Sequence, residues 1–246
     1  MPLRLLSVLF LLLAWAVAAA LAKSRMLPSP QEVALVAVGL ARSGELFVNL
    51  GATLARVVAA FVLAMTLGTA LGVAMGRHRA VDRVCDPWLI VLLNLPALVV
   101  IVLAYIWIGL NEAAAVGAVA LNKLPNTAAT VREGARALDR SLDEVAQVYA
   151  MPWRVRILDI LLPQLAPYLA AATRSGLSLV WKIVLVVELL GRSNGVGFEI
   201  GVAFQLFDVA RLLAYALPFV ALMLAIETFL VQPLERRATR WRPGHA

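Results

Sequence analysis

A single cysteine, Cys85, occurs in the 246-residue chain. It therefore forms no intrachain disulfide, and cysteine-based metal sites are excluded. Histidine is almost as scarce: His78 falls in a basic stretch and His245 at the extreme C-terminus, neither beside a second ligand-like residue. No G-x-x-x-x-G-K-[ST] segment is present, so this chain has no P-loop to cradle nucleotide phosphates. Gly191 to Gly197 is glycine-rich but lacks the lysine and reads as a turn. H-E-x-x-H, G-x-S-x-G and any Asp/His cluster sharing a face with a serine are missing too, which leaves a membrane-embedded enzyme without its chemistry. The expectation is a non-enzyme that binds neither metal nor cofactor of its own.

Charge is also thin, at 15% of residues, whereas 62% are hydrophobic and the mean hydropathy is +0.87. A soluble domain of this length cannot hide so much apolar surface, so lipid is the expected solvent. The 22 Lys and Arg outnumber 15 Asp and Glu. They lie between apolar runs and form no single basic face, so nucleic acid is not the expected partner.

A membrane helix needs roughly 20 apolar residues. Six stretches qualify: Leu5 to Ala22, Leu50 to Met75, Trp88 to Leu110, Ala113 to Val131, Leu165 to Leu190 and Val209 to Val231. The fold class predicted is all-α, a polytopic membrane protein with six transmembrane helices. Arg4 followed by an apolar run and Ala20-Leu21-Ala22 also resembles a cleavable signal peptide, but the run is long for one, and retention is expected. Thirteen basic residues fall on one side: Arg4, then Arg77, Arg79 and Arg83, then Arg132, Arg136, Arg140, Arg154 and Arg156, then Arg236, Arg237, Arg240 and Arg242. Lys23, Arg25, Arg42, Arg192 and Arg211 are the five opposite. The positive-inside bias puts both termini in the cytoplasm. The chain then divides into residues 1–49, an N-terminal span with an outer segment; 50–236, the membrane core with a cytoplasmic insert over 132–163; and a tail, 237–246.

Within the second span Gly68, Gly72 and Gly76 recur every fourth residue, a stripe on which another helix backbone can settle closely. The insert changes from continuous apolar to amphipathic. Ser141-Leu142-Asp143-Glu144 has the form of a capping box. Leu142, Val145, Val148 and Tyr149 follow on one face of a short helix. Pro152 suits the first turn of a second, whose apolar face is Trp153, Ile157, Ile160 and Leu161, with Pro163 and Pro167 marking the return to the membrane. Such a hairpin either docks a cytoplasmic partner or rests on lipid headgroups.

Glu144-Val145-Ala146, three residues, Ala150, nine residues, then Ile160-Leu161-Leu162-Pro163 resembles the EAA loop of ABC importer permeases, E-A-A, three residues, G, nine residues, I-x-L-P. Leu27-Pro28-Ser29-Pro30, Gly68 to Gly76 with Arg77, Asp86-Pro87, Trp181 through Glu188-Leu189-Leu190-Gly191, Gly195-Val196-Gly197-Phe198 and Arg240-Trp241-Arg242 extend the likeness to the nitrate, sulfonate and taurine branch. The resemblance implies a type I importer permease of the bacterial inner membrane. It would be a permease homodimer, with a cassette ATPase dimer that holds the ATP and a periplasmic solute-binding protein. Glu144, Val145, Ala146, Ala150, Met151, Pro152, Ile160, Leu162 and Pro163 would couple it to the ATPase. Val145 replaces the first alanine and Ala150 the glycine expected to end the helix in a left-handed conformation.

Ionisable groups inside spans normally face a partner or a water path. Arg56 and Glu188 fall near the periplasmic end and Lys123, Arg174 and Glu227 in the cytoplasmic third, so salt bridges at matched depth are expected. Lys182 has no acid at its own depth. It snorkels, reaches Glu188, or faces the translocation path, where a lysine would favour an anionic solute; Trp181 and Glu188 are the other pathway candidates. A self-sufficient secondary transporter commonly shows internal repeats with broken helices, and no such halves are evident.

Overall fold

A computed structural model describes the backbone of residues 2–234 and their side chains other than those of residues 2–5, Arg140 and Asp143. The basic tail from Arg236 through Trp241 to His245 lies outside the described residues. No strand occurs among the described residues. The helices are α1 (Pro2–Ala22), α2 (Pro30–Ser43), α3 (Glu45–Arg77), α4 (Arg79–Asn94), α5 (Ala97–Ile108), α6 (Glu112–Arg136), α7 (Arg140–Val148), α8 (Trp153–Val155), α9 (Leu162–Gly191), α10 (Val196–Gln205) and α11 (Val209–Ile226).

Among the described residues three runs are long and apolar enough to cross a bilayer: α3, Trp153–Gly191 and Val209–Leu234. The stretch expected to be one straight span over Trp88 to Leu110 is instead α4 and α5, whose axes differ by 101°, and together they make a fourth if counted as one broken span. The break follows from Pro96. The residue before a proline is driven out of the helical region, and Leu95 is extended at φ −71°, ψ 126°. The basic stretch Arg79 to Arg83 is the first turn of α4, and Asp86-Pro87 sits within that helix.

The outer segment over 23–49 carries a helix that periodicity alone passed over. Ser29 caps α2, its hydroxyl accepting from the Glu32 amide at 3.2 Å, Pro30 takes the first helical position, and Gly44 closes the helix at φ 84°. Likewise the glycine-rich turn after α9 leads directly into α10.

Trp153–Gly191 is one helical run of 39 residues, so the insert does not hold two separate short helices. Pro152 is the N-cap rather than the first helical residue, and the chain passes Pro163 and Pro167 without stopping. Arg156–Leu161 is π-helical, closed by the Leu162 amide on the Ile157 carbonyl. Glu227–Val231 is π-helical as well, closed by Gln232 on Glu227. Each wide turn ends just ahead of a proline, Pro163 or Pro233. A proline ring collides with the carbonyl four residues back in a regular helix, and a π turn makes the room.

The chain divides into two compact units, residues 1–55 with 185–224, and 56–184 with 225–246. In the second unit the glycine stripe lies on α6. A Cβ on Gly68 would meet that of Thr127 at 2.7 Å, one on Gly72 the Ala128 carbonyl oxygen at 2.6 Å, and one on Gly76 the Ala135 Cβ at 2.5 Å. Met75, Leu89 and Ala128 form a buried cluster beside this seam.

The first unit holds a small polar core, Asn49, Thr53 and Glu188, within its apolar one. Glu188 is fully buried, its carboxylate accepting from the Thr53 hydroxyl at 2.9 Å and the Gly197 amide at 2.8 Å. Asn49 accepts from the Gly195 amide at 2.8 Å, and the Val196 amide donates to Thr53 Oγ1 at 2.8 Å. Gly195 is at φ 109°, and a Cβ there would strike the Glu188 carboxylate at 2.5 Å, so only glycine fits. These bonds satisfy the orphan amides at the start of α10.

Candidate functional site

The segment 139–164 is built from its two ends inward. Its helix, α7, begins one residue before Ser141: the N-cap is Asp139, whose Oδ1 accepts from the Ser141 amide at 2.9 Å and the Ser141 hydroxyl at 2.8 Å. Aspartate is at least as good a cap as serine, and here it takes up the hydroxyl that a Ser141 capping box would have used. The two Ser141 bonds hold the Asp139 carboxyl below the ordinary aspartate range. A depressed folded value means the cap contributes above the unfolded aspartate value, about 3.9, and its contribution is lost as pH falls through the folded one. Acidification is expected to lower the protection of the Ser141 amide, its exchange taken relative to the intrinsic rate at the same pH, in the unaltered chain and not in Asp139→Asn, whose side chain caps without titrating.

At the far end α7 closes in a Schellman turn. The Met151 amide donates to the Ala146 carbonyl and the Ala150 amide to that of Gln147, both at 3.0 Å, with Ala150 at φ 47°. The left-handed conformation that the resemblance assigns to glycine is thus adopted by alanine. It costs a non-glycine residue about 1 kcal/mol or more, and glycine's freer unfolded chain cancels part of that. Ala150→Gly is therefore expected to strengthen this turn by up to about 1 kcal/mol, read as slower hydrogen exchange of the Met151 amide.

Gln164 ties the two ends together. Its Oε1 accepts from the Asp139 amide at 2.9 Å while its Nε2 donates to the Ile160 carbonyl at 3.1 Å. The sequence carries no signal of this link, because the partners are 25 residues apart. α7 packs on the π turns, and Ala146 is buried there. Glu144 and Val145 are exposed, as are Pro152, Leu162 and Pro163, whereas Met151 and Ile160 are half-buried.

The apolar face expected of α7 is present and uncovered: Val148 is 82% and Tyr149 74% exposed, and Trp153 is 67% exposed with the Arg154 guanidinium 5.4 Å from its ring centroid. Behind it, α6 is bolted to α4. Arg132 pairs closely with Asp86 and lies 3.5 Å from Asp82, and Arg136 bonds Asp82 at 2.6 Å. Glu144 lines a cavity of about 770 Å³ with Arg77, Arg79, Arg83 and Arg136.

The pathway candidates diverge. Trp181 is half-buried, and Lys182 is exposed with its ammonium 5.7 Å from the Trp181 centroid. Lys182 makes no ion pair among the described residues, so it does not reach Glu188 along its helix. Glu188 is enclosed in the polar core described above. Arg56 forms a bidentate pair with Glu112 at the start of α6, at 2.7 and 2.9 Å, while Lys123 and Glu227 enter no ion pair among the described residues. Among those residues no three His, Cys, Asp or Glu side chains gather as a metal site.

The chain belongs to the family described as binding-protein-dependent transport system inner membrane component, whose pattern matches residues 64–240. It is 32% identical over 222 residues to the aliphatic sulfonates transport permease protein SsuC of Escherichia coli (strain K12), covering 90% of this chain and 84% of that one. The SsuC of Bacillus subtilis (strain 168) is 30% identical over 220 residues, 89% and 79% of the two chains. The E. coli taurine transport system permease protein TauC is 26% identical over 220 residues, 87% and 80%. A crystal structure of an amino acid ABC transporter with histidines shares the fold, with TM-score 0.64 at 18% identity over 81% of this chain and 97% of that one. The chain is accordingly an ABC importer permease, a multi-pass inner-membrane transport component.

Proposed function

We propose that this permease passes a small anionic solute of the sulfonate, taurine or nitrate kind from a periplasmic binding protein to the cytoplasm, driven by a cassette ATPase dimer docked on α7. Two copies form the pathway. In each, α1, α3, the broken pair α4–α5, α6, α9 and α11 make six crossings with both termini in the cytoplasm, as the positive-inside count favours. The ATP is held by the partner subunits.

The observation that carries this reading is the uncovered apolar end of α7, Val148 and Tyr149, on a loop braced by Asp139, Ala150 and Gln164. A rigid knob transmits a push that a loose loop would absorb. Motion of the ATPase would pass through α7 and the π turns into α9 without a joint, because Trp153–Gly191 is continuous. Binding energy at the knob is thereby converted into a bias between inward- and outward-open states. Within the pathway Lys182 with Trp181 meets the anion, and Glu188 holds the periplasmic turn that frames it.

The test is reconstitution of the permease with its ATPase and binding protein in proteoliposomes, measuring ATP-dependent uptake of ethanesulfonate, taurine and nitrate. Uptake of at least one, abolished without the ATPase, is expected. Accumulation that persists without the ATPase would support a secondary transporter instead.

A further inference from the structure

Lys123 lies near the midpoint of the 25-residue α6, about 17 Å of helix rise or more from either end. It is 1% exposed, one of the largest fully buried side chains in the chain. Snorkelling carries an ammonium only the length of its own stem, so neither end of α6 is in reach. Among the described residues it has no ion pair and no hydrogen bond, and Glu227, the acid expected at its depth, has no ion pair either. What it has is a seat. Its stem end lies in the notch left by Gly176 of α9: a Cβ on that glycine would run into Lys123 Cε and come within 2.8 Å of Nζ.

Buried polar groups in native proteins are almost always satisfied, and the exceptions mark function. An ionisable side chain inside a membrane protein is functional by default, and its partner is the thing to be named. Among the described residues none supplies it. The element that covers Lys123 is α9, the same continuous helix that begins at the braced loop and carries the exposed Lys182 six residues beyond Gly176, about 9 Å further along.

We propose that Lys123 is a latent anion site, closed here by Gly176, uncovered when α9 shifts along α6 during transport, and occupied by the acidic head of the solute after it leaves Lys182. The inference rests on the transport reading and deepens it. The lysine is a specificity-determining residue, and the counter-charge that no described residue gives it comes from the cargo. Opening and occupancy are coupled, because the acidic head of a solute reaches the ammonium only once α9 no longer covers it. Gly176 is the latch: any larger residue displaces the flexible end of Lys123 without removing its charge.

The experiment uses the reconstituted complex and follows Lys123 itself. Trinitrobenzenesulfonate, a sulfonate that reacts with free amines, is applied at rest and in the vanadate-trapped state, and modification of Lys123 is quantified by mass spectrometry. Labelling at least 10-fold faster in the trapped state is expected, slowed by ethanesulfonate, with Gly176→Ala raising the resting rate. In uptake assays Lys123→Met is expected to lower ethanesulfonate transport at least 10-fold through KM and to leave ATPase docking unchanged, with Lys123→Arg retaining most activity. Labelling that stays slow in the trapped state, or a Lys123→Met transporter as active as the unaltered one, would overturn the proposal while leaving the importer reading in place. Failure of that reading would look different: the unaltered complex itself would show no ATP-dependent uptake, and the anion site would fall with it.

Discussion

Gly72→Val is expected to remove the folded permease from the membrane. A Cβ at this position already comes within 2.6 Å of the Ala128 carbonyl oxygen and 2.8 Å of the Val131 Cβ. The obstacle is backbone, so no side chain can swing aside and α3 must lift from α6. Overpacking of this kind costs about 3 kcal/mol, a large part of the stability of an ordinary domain. Membrane helices associate through van der Waals packing rather than hydrophobic burial, so lost contact along the seam is not recovered elsewhere. The control lies on the same helix. A Cβ on Gly51 would meet nothing within 4 Å, and Gly51→Ala is expected to be neutral or to stabilise by up to about 1 kcal/mol. Detergent-solubilised yield and thermal unfolding of the two variants check the contrast.

The double change Val148→Asp with Tyr149→Ala is expected to uncouple the permease without unfolding it. Both side chains are largely exposed, at 82% and 74%, so thermal unfolding of the isolated permease stays where it is. An exposed tyrosine anchoring an interface is worth about 2 kcal/mol or more on truncation, and a buried unpaired carboxylate adds to the loss. ATPase affinity is expected to fall at least about 30-fold, and uptake with it. Equal loss of stability would mean instead that these residues hold the permease itself together.

The parts of this architecture that were legible in the sequence are those written in local periodicity. The glycine stripe of α3 and the apolar face of α7 follow from spacings of three and four residues, whereas the left-handed position at residue 150 came only from the resemblance to the EAA loop. What escaped depends on distance or on competition between local signals. Ser141 and Asp139 both offer a cap, and only the folded chain shows the aspartate taking the Ser141 hydroxyl. Pro163 reads as the return to the membrane after a separate short helix, yet the π turn before it absorbs the ring and the helix continues. The break at Leu95-Pro96 lies inside an apolar run whose composition says only that it is buried in something. Gln164 and Glu112 find partners 25 and 56 residues away, and neither carries a pattern that announces it. Matched depth suggested a partner for Lys123, but depth fixes height and leaves the facing direction open.

The central claim is that force from a separate ATPase enters the permease at α7. With Cys85 replaced by alanine, Val148→Cys supplies one thiol at the exposed tip, and a bifunctional thiol reagent is applied to the reconstituted complex carrying a cysteine in the ATPase groove. A crosslink between permease and ATPase that arrests ethanesulfonate uptake, with recovery on cleavage of the linker, is expected. Full uptake in a complex where residue 148 never crosslinks to the ATPase would contradict it.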